Sequence, residues 1–80
     1  MSNQECIDAI DLALDDKWNE SHLIVQDLSS PYAQWIHAVL HKIEGDESNS
    51  RYWYSRSSIE VYESYLDSTQ ELKAIKKLLI

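Results

Sequence analysis

A chain with one proline and one glycine among 80 residues has few ways to turn sharply. Those two residues, Pro31 and Gly45, bracket its strongest helical period. Between them Tyr32, Trp35, Ile36, Val39, Leu40 and Ile43 form a wide apolar stripe at helical spacing. Ser30 stands where an N-cap belongs and Pro31 at the first helical position. Gly45 sits where a left-handed residue ends a helix. So few breakers argue against a many-turned β-sandwich and make helices the first expectation.

The remaining segments follow the same period. Residues 2–14 place Cys6, Ile7, Ile10, Ala13 and Leu14 on one stripe, with a capping box expected at Ser2 and Glu5. Residues 17–28 place Trp18, Ser21, Ile24, Val25 and Leu28 on one face, ended by Ser29-Ser30-Pro31. A fourth helix is expected over about 47–57, where Ser50, Trp53, Tyr54 and Ser57 alternate small and large side chains. Ser68 and Glu71 read as a second capping box, opening the apolar period Leu72, Ile75, Leu78 and Leu79. Lys73, Lys76 and Lys77 suit the end of that helix. Residues 58–67 fit a short helix, an extension of the last one or an irregular crossing. The expectation is an all-α domain over residues 1–80: four or five short antiparallel helices, paired as hairpins, with a C-terminal capping helix.

A formal charge of −7 disfavours nucleic-acid backbones and anionic membrane surfaces. One cysteine, Cys6, cannot form an internal disulfide, so a cytoplasmic setting is expected. The acidic N-terminal residues lack the basic start of a signal peptide, and no apolar run approaches the roughly 20 residues that span a bilayer. There is no Phe. Trp and Tyr carry the aromatic burial, and each brings a donor that needs an acceptor.

Laying Asp16 on Gly45 puts Ser21 on Ser50, Val25 on Tyr54 and Leu28 on Ser57, an offset of 29 residues. The second unit resembles a tetratricopeptide hairpin: Ala38, Gly45, Ser50, Tyr54 and Ser57 take that motif's small–turn–small–aromatic–small places. The resemblance covers about half the chain and implies antiparallel helix pairs with a covering C-terminal helix. From His37 to Arg56 the string H-A-x-L-H-x-x-E-G-D-x-x-N-S-x-Y-W-Y-x-R resembles the central motif of a family of small bacterial proteins with no established activity. An upstream W-x-x-x-H, Trp18 to His22, is similar to its N-terminal half. This second resemblance marks residues of interest and implies no mechanism.

The chemistry-bearing residues cluster in that string. His37, His41 and Glu44 lie at i, i+4 and i+7, one narrow stripe about 100° round the helix from Ile36, Leu40 and Ile43. Imidazoles and a carboxylate on one face are ligands for zinc or another divalent metal, with Asp46 or His22 available as a further donor. There is no glutamate between the histidines as in H-E-x-x-H, since Ala38 follows His37. The plainer reading is a polar network in which His37 and His41 face a stripe of Asn49, Tyr52 and Arg56 on the next helix and fix the register of the hairpin. A third reading takes the same His, Glu, Asn, Tyr and Arg as an acid–base and anion-binding pocket. No nucleophile marks it: Cys6 lies on an apolar stripe.

The expectation for function is a small interaction or accessory module that is not an enzyme and needs no cofactor. Its partner would be another protein met by Trp35 and Tyr52; a second copy would be met through the final helix (Leu72, Ile75, Leu79, Ile80) or exposed aromatics. The alternative is a protein that binds a metal or small ligand at His37, His41 and Glu44, with hydrolysis as the reaction such a site would serve.

Overall fold

The computed structural model describes residues 2–80, all of them helix or connection. Helices α1 (Ser2–Leu14) and α2 (Trp18–Val25) form one hairpin, and α3 (Pro31–Glu44) and α4 (Glu47–Ser57) a second. A single 3-10 turn at Tyr62–Ser64 interrupts the crossing from α4 to α5 (Ser68–Leu79). α3 lies against both helices of the first hairpin, and α5 covers α1 and α3. The fold is all-α, as its period and its want of breakers imply. The capping box expected at Ser2 and Glu5 rests on the Ser2 side chain, which lies outside the described residues.

The 29-residue offset is built into both hairpins. Asp16 and Gly45 each take a left-handed backbone, with φ of 66° and 85°. At each turn two crossed hydrogen bonds close the helix end. Asp16 N–H donates to Ala13 O and Lys17 N–H to Leu12 O; Gly45 N–H donates to Lys42 O and Asp46 N–H to His41 O. Ser21 Oγ then donates to Ala9 O, and Ser50 Oγ to Ala38 O, both at 2.7 Å. All four residues are fully buried. A serine opposite an alanine lets the two backbones approach, and the hydroxyl finds its acceptor on the partner helix. Ser57 Oγ donates to Pro31 O at the far end of the second hairpin, so α4 is tied to α3 at two places.

α2 ends at Val25, short of the expected 28. Ser30 is extended ahead of Pro31, with ψ of 150°, and accepts from Ala33 N–H as the cap of α3. The start of α5 differs from the expected capping box. Asp67, not Ser68, caps it by accepting from Thr69 and Gln70 N–H, and Glu71 turns inward, fully buried. Residues 58–67 are the irregular crossing.

Cys6, Ala9, Ile10, Val25, Ala33, Ile36, Val39, Leu40, Leu72 and Ile75 form the core, with Trp35 and Tyr54 enclosed among them. Leu72 and Ile75, which could have served self-association, are spent on it. No helix of the described residues is long and apolar enough to cross a membrane.

Candidate metal centre

Two turns of α3 carry His37 and His41 on one face, their rings 4.9 Å apart and nearly parallel. From the other hairpin α2 brings His22 between them. His22 Nε2 and His37 Nε2 are 3.1 Å apart, with the rings perpendicular. The register of α2 is set one turn earlier, where Trp18 Nε1 donates to Leu40 O at 2.6 Å and the indole stacks on His22 at 4.8 Å. On the opposite side Trp53 of α4 stacks on His37 at 4.0 Å. One ligand nitrogen from each of His22, His37 and His41 lies within 4.8 Å of the others.

Electrostatics favour the neutral, metal-competent form of His22 and His37. Burial pushes His37 down to about 4, and His22 and His41 beside it act in the same direction. Burial also lowers His22, with His41 adding to the effect and Glu44 opposing it. His41 Nδ1 donates to Glu44 Oε2 at 2.6 Å. A carboxylate on Nδ1 orients the ring and leaves Nε2 as the nitrogen available to a metal. His41 Nε2 has no partner among the described residues. Among the described residues no sealed side-chain nitrogen or oxygen lacks a partner, so Nε2 is not fully sealed from solvent.

His41, Glu44 and Asp46 make a second grouping within the same 4.8 Å. It competes for His41 Nδ1, which Glu44 already occupies. Asp46 is also engaged, capping α4 by accepting from Asn49 N–H, Asn49 Nδ2 and Ser48 Oγ. These bonds, the Asn49 side chain foremost, hold its carboxyl below the usual range. The arrangement therefore favours the three-histidine set, with Glu44 behind His41.

The expected polar stripe does not face these histidines. Asn49 serves the cap of α4, while Tyr52 is half exposed and accepts from Arg56 Nη1 at 3.0 Å. The reason is the rotation of α4. Ser50, Tyr54 and Ser57 must face α3 for the close approach, and this turns Tyr52 and Arg56 outward and brings Trp53 over His37. Trp35 is corrected as well: it is 2% exposed and offers no partner surface.

Trp35 belongs instead to a second buried network, which sequence reasoning missed. Glu71 Oε2 accepts from Trp35 Nε1 at 2.8 Å and Tyr54 OH at 2.6 Å. Its Oε1 accepts from Lys42 Nζ at 2.9 Å. Lys42 also donates to the carbonyls of Tyr62 and Tyr65 and lies over the Tyr54 and Tyr62 rings. Burial, then the bond to Glu71, pushes the Tyr54 hydroxyl well above its ordinary value. The available signal was Glu71 beside Leu72 on the apolar stripe of α5. A groove between α4 and residues 58–63 lies apart from the histidines, and at its edge Arg51 is already paired with Glu47 and Glu63.

Fold and site together define a small all-α domain with a three-histidine cluster between two hairpins. No family model matches the chain, and neither a curated protein nor a solved structure does.

Proposed function

We propose that this domain binds a divalent transition metal, zinc in the first instance, through His22, His37 and His41, with Glu44 orienting His41. The observation that carries this reading is the convergence of three imidazoles from two helices, two of them held neutral by burial, with a carboxylate on the far nitrogen of the third. Imidazole suits zinc, copper and nickel, and zinc accepts tetrahedral nitrogen sets at about 2.0–2.1 Å. Two such ligands stand about 3.3 Å apart, close to the 3.1 Å between His22 and His37. Closing His41 onto the pair is the remaining adjustment.

Dialysis against Zn²⁺ followed by elemental analysis is expected to return one metal per chain. At a free concentration a hundredfold above Kd, folding stability should rise by about 2.7 kcal/mol. His22→Ala and His41→Ala should each lose the uptake. Nickel or copper should quench the fluorescence of Trp18 and Trp53, whose rings stack on the ligands. No stoichiometric metal and no thermal shift with zinc, nickel or copper would sink the proposal.

A role as an interaction or accessory module is a second reading, favoured by the exposed side chains of Leu66, Leu78 and Ile80 and by the Tyr52–Arg56 pair. The partner would be another protein or a second copy, met in the cytoplasm, where the buried free thiol of Cys6 stays reduced. Concentration-dependent sedimentation tests the second copy, and a monomer at all concentrations sinks that version.

A further inference from the structure

We propose that the metal held by His22, His37 and His41 keeps one exchangeable coordination position, filled by water or by a small monodentate anion. This rests on the metal-binding reading above. Structural zinc sites close with four protein ligands, and a set of three leaves the fourth place to solvent or a ligand from outside. Among the described residues no fourth His, Cys, Asp or Glu groups with these three histidines. The nearby acidic groups are spoken for. Glu44 Oε2 is bonded to His41 Nδ1, and the Asp46 carboxylate caps α4.

The position is reachable. His22 is half-buried rather than sealed, and the Glu44 side chain at the rim is 40% exposed. His41 is largely buried, but its Nε2 has no partner among the described residues and is not fully sealed. The class of ligand follows from charge and space. Three imidazoles put no anion on the metal itself, and the one carboxylate near it, Glu44, stands behind His41, so an anionic fourth donor is preferred over a neutral one. Trp18 against His22 and Trp53 against His37 wall two sides, which restricts the ligand to a small one. Azide and acetate have the required charge and size, and each can bind through one atom.

Co²⁺ is the probe, because its visible bands report coordination number and ligand exchange. The full chain loaded with one Co²⁺ is expected to give the intense visible bands of a four-coordinate site. Azide, and more weakly acetate, should shift them saturably at one ligand per metal. Glu44→Gln should weaken Co²⁺ binding by roughly 10- to 100-fold, as loss of an orienting carboxylate does, while leaving the band positions and the azide response intact. Stoichiometric Co²⁺ whose bands ignore azide would overturn the open position and leave the metal site standing. An azide response that appears only in Glu44→Gln would also overturn it, since Glu44 would then be the fourth ligand. Absence of Co²⁺ uptake in the wild-type chain would remove the metal site itself.

Discussion

Replacing Glu71 with Gln tests the buried network that joins α3, α4 and α5. The side chain keeps its shape and loses its charge. Lys42 Nζ, whose side chain is only 9% exposed, then has two backbone carbonyls and two aromatic rings but no anion. Breaking a buried pair by removing one partner costs about 3–5 kcal/mol, because the remaining charge is uncompensated. The new amide also directs an N–H₂ at Lys42 or at the donors of Trp35 and Tyr54, so at least one buried donor loses its acceptor. A chain of this length has a total stability of roughly 4–12 kcal/mol. Glu71→Gln is therefore expected to leave the domain barely folded at 25 °C. Urea unfolding followed by far-UV dichroism supplies the wild-type and variant midpoints. Lys42→Met and the double variant complete the cycle. Since the double variant no longer buries a lone cation, it should recover about 1–3 kcal/mol relative to the sum of the single changes. Additivity within about 0.5 kcal/mol, or a Glu71→Gln loss under about 1 kcal/mol, would refute the pairing of Lys42 with Glu71 as a buried unit.

Three further outcomes follow from named contacts. In chelator-treated protein, the depression of His37 from 6.5 to about 4 means that the unfolded chain takes up this proton first. Stability should be unaffected by this group above pH 6.5 and decline through the window down to pH 4, by about 3 kcal/mol in total at about 1.4 kcal/mol per unit. His22 adds in the same direction, and a thermal-denaturation series without any acid-side decline over that window would count against a buried neutral His37. Asp16→Gly should raise the melting temperature by the equivalent of about 0.5–1 kcal/mol, because φ of 66° costs a side-chain-bearing residue and not glycine. Ser21→Val and Ser50→Val should each lose about 1–3 kcal/mol by forcing their helix pairs apart, and an unchanged urea midpoint in either would remove the tight crossing.

The hairpins are legible because their determinants are local. Asp16 and Gly45 end helices by backbone conformation, and Ser21 and Ser50 recur at the same 29-residue offset from the same kind of turn. The rotation of α4 is not local. Two stripes on that helix compete for α3, one of small and aromatic residues and one of Asn49, Tyr52 and Arg56. Only the first permits the serine-to-carbonyl contacts. Glu71 is hidden for another reason: it meets Trp35 across a long stretch of chain. His22, available in the sequence as a further donor, is chosen over Asp46 only by the packing of α2 on α3, which brings it to His37. Helical period shows that Glu71 lies beside an apolar stripe. It does not say that Trp35, Tyr54 and Lys42 will all converge on its two oxygens.

The two polar networks separate a structural role from a functional one. Around Glu71 every donor has an acceptor and both carboxylate oxygens are used, so nothing remains to bind a ligand. That network satisfies the Trp and Tyr donors of the core and anchors the crossing to α5. The histidines are not required for either task. Trp18, whose indole stacks on His22, donates to the Leu40 carbonyl and uses no imidazole as acceptor. Leucine at positions 22, 37 and 41 would fill this space and remove the acid-side liability of His37. What the imidazoles supply, and leucine would not, is a set of converging ring nitrogens, two of them 3.1 Å apart and sharing a hydrogen that a metal would displace. If those converging nitrogens are the reason for the cluster, His41→Leu should hold or raise the melting temperature of chelated protein while abolishing zinc uptake. A His41→Leu chain that is destabilised by more than about 2 kcal/mol without metal would return the cluster to the core.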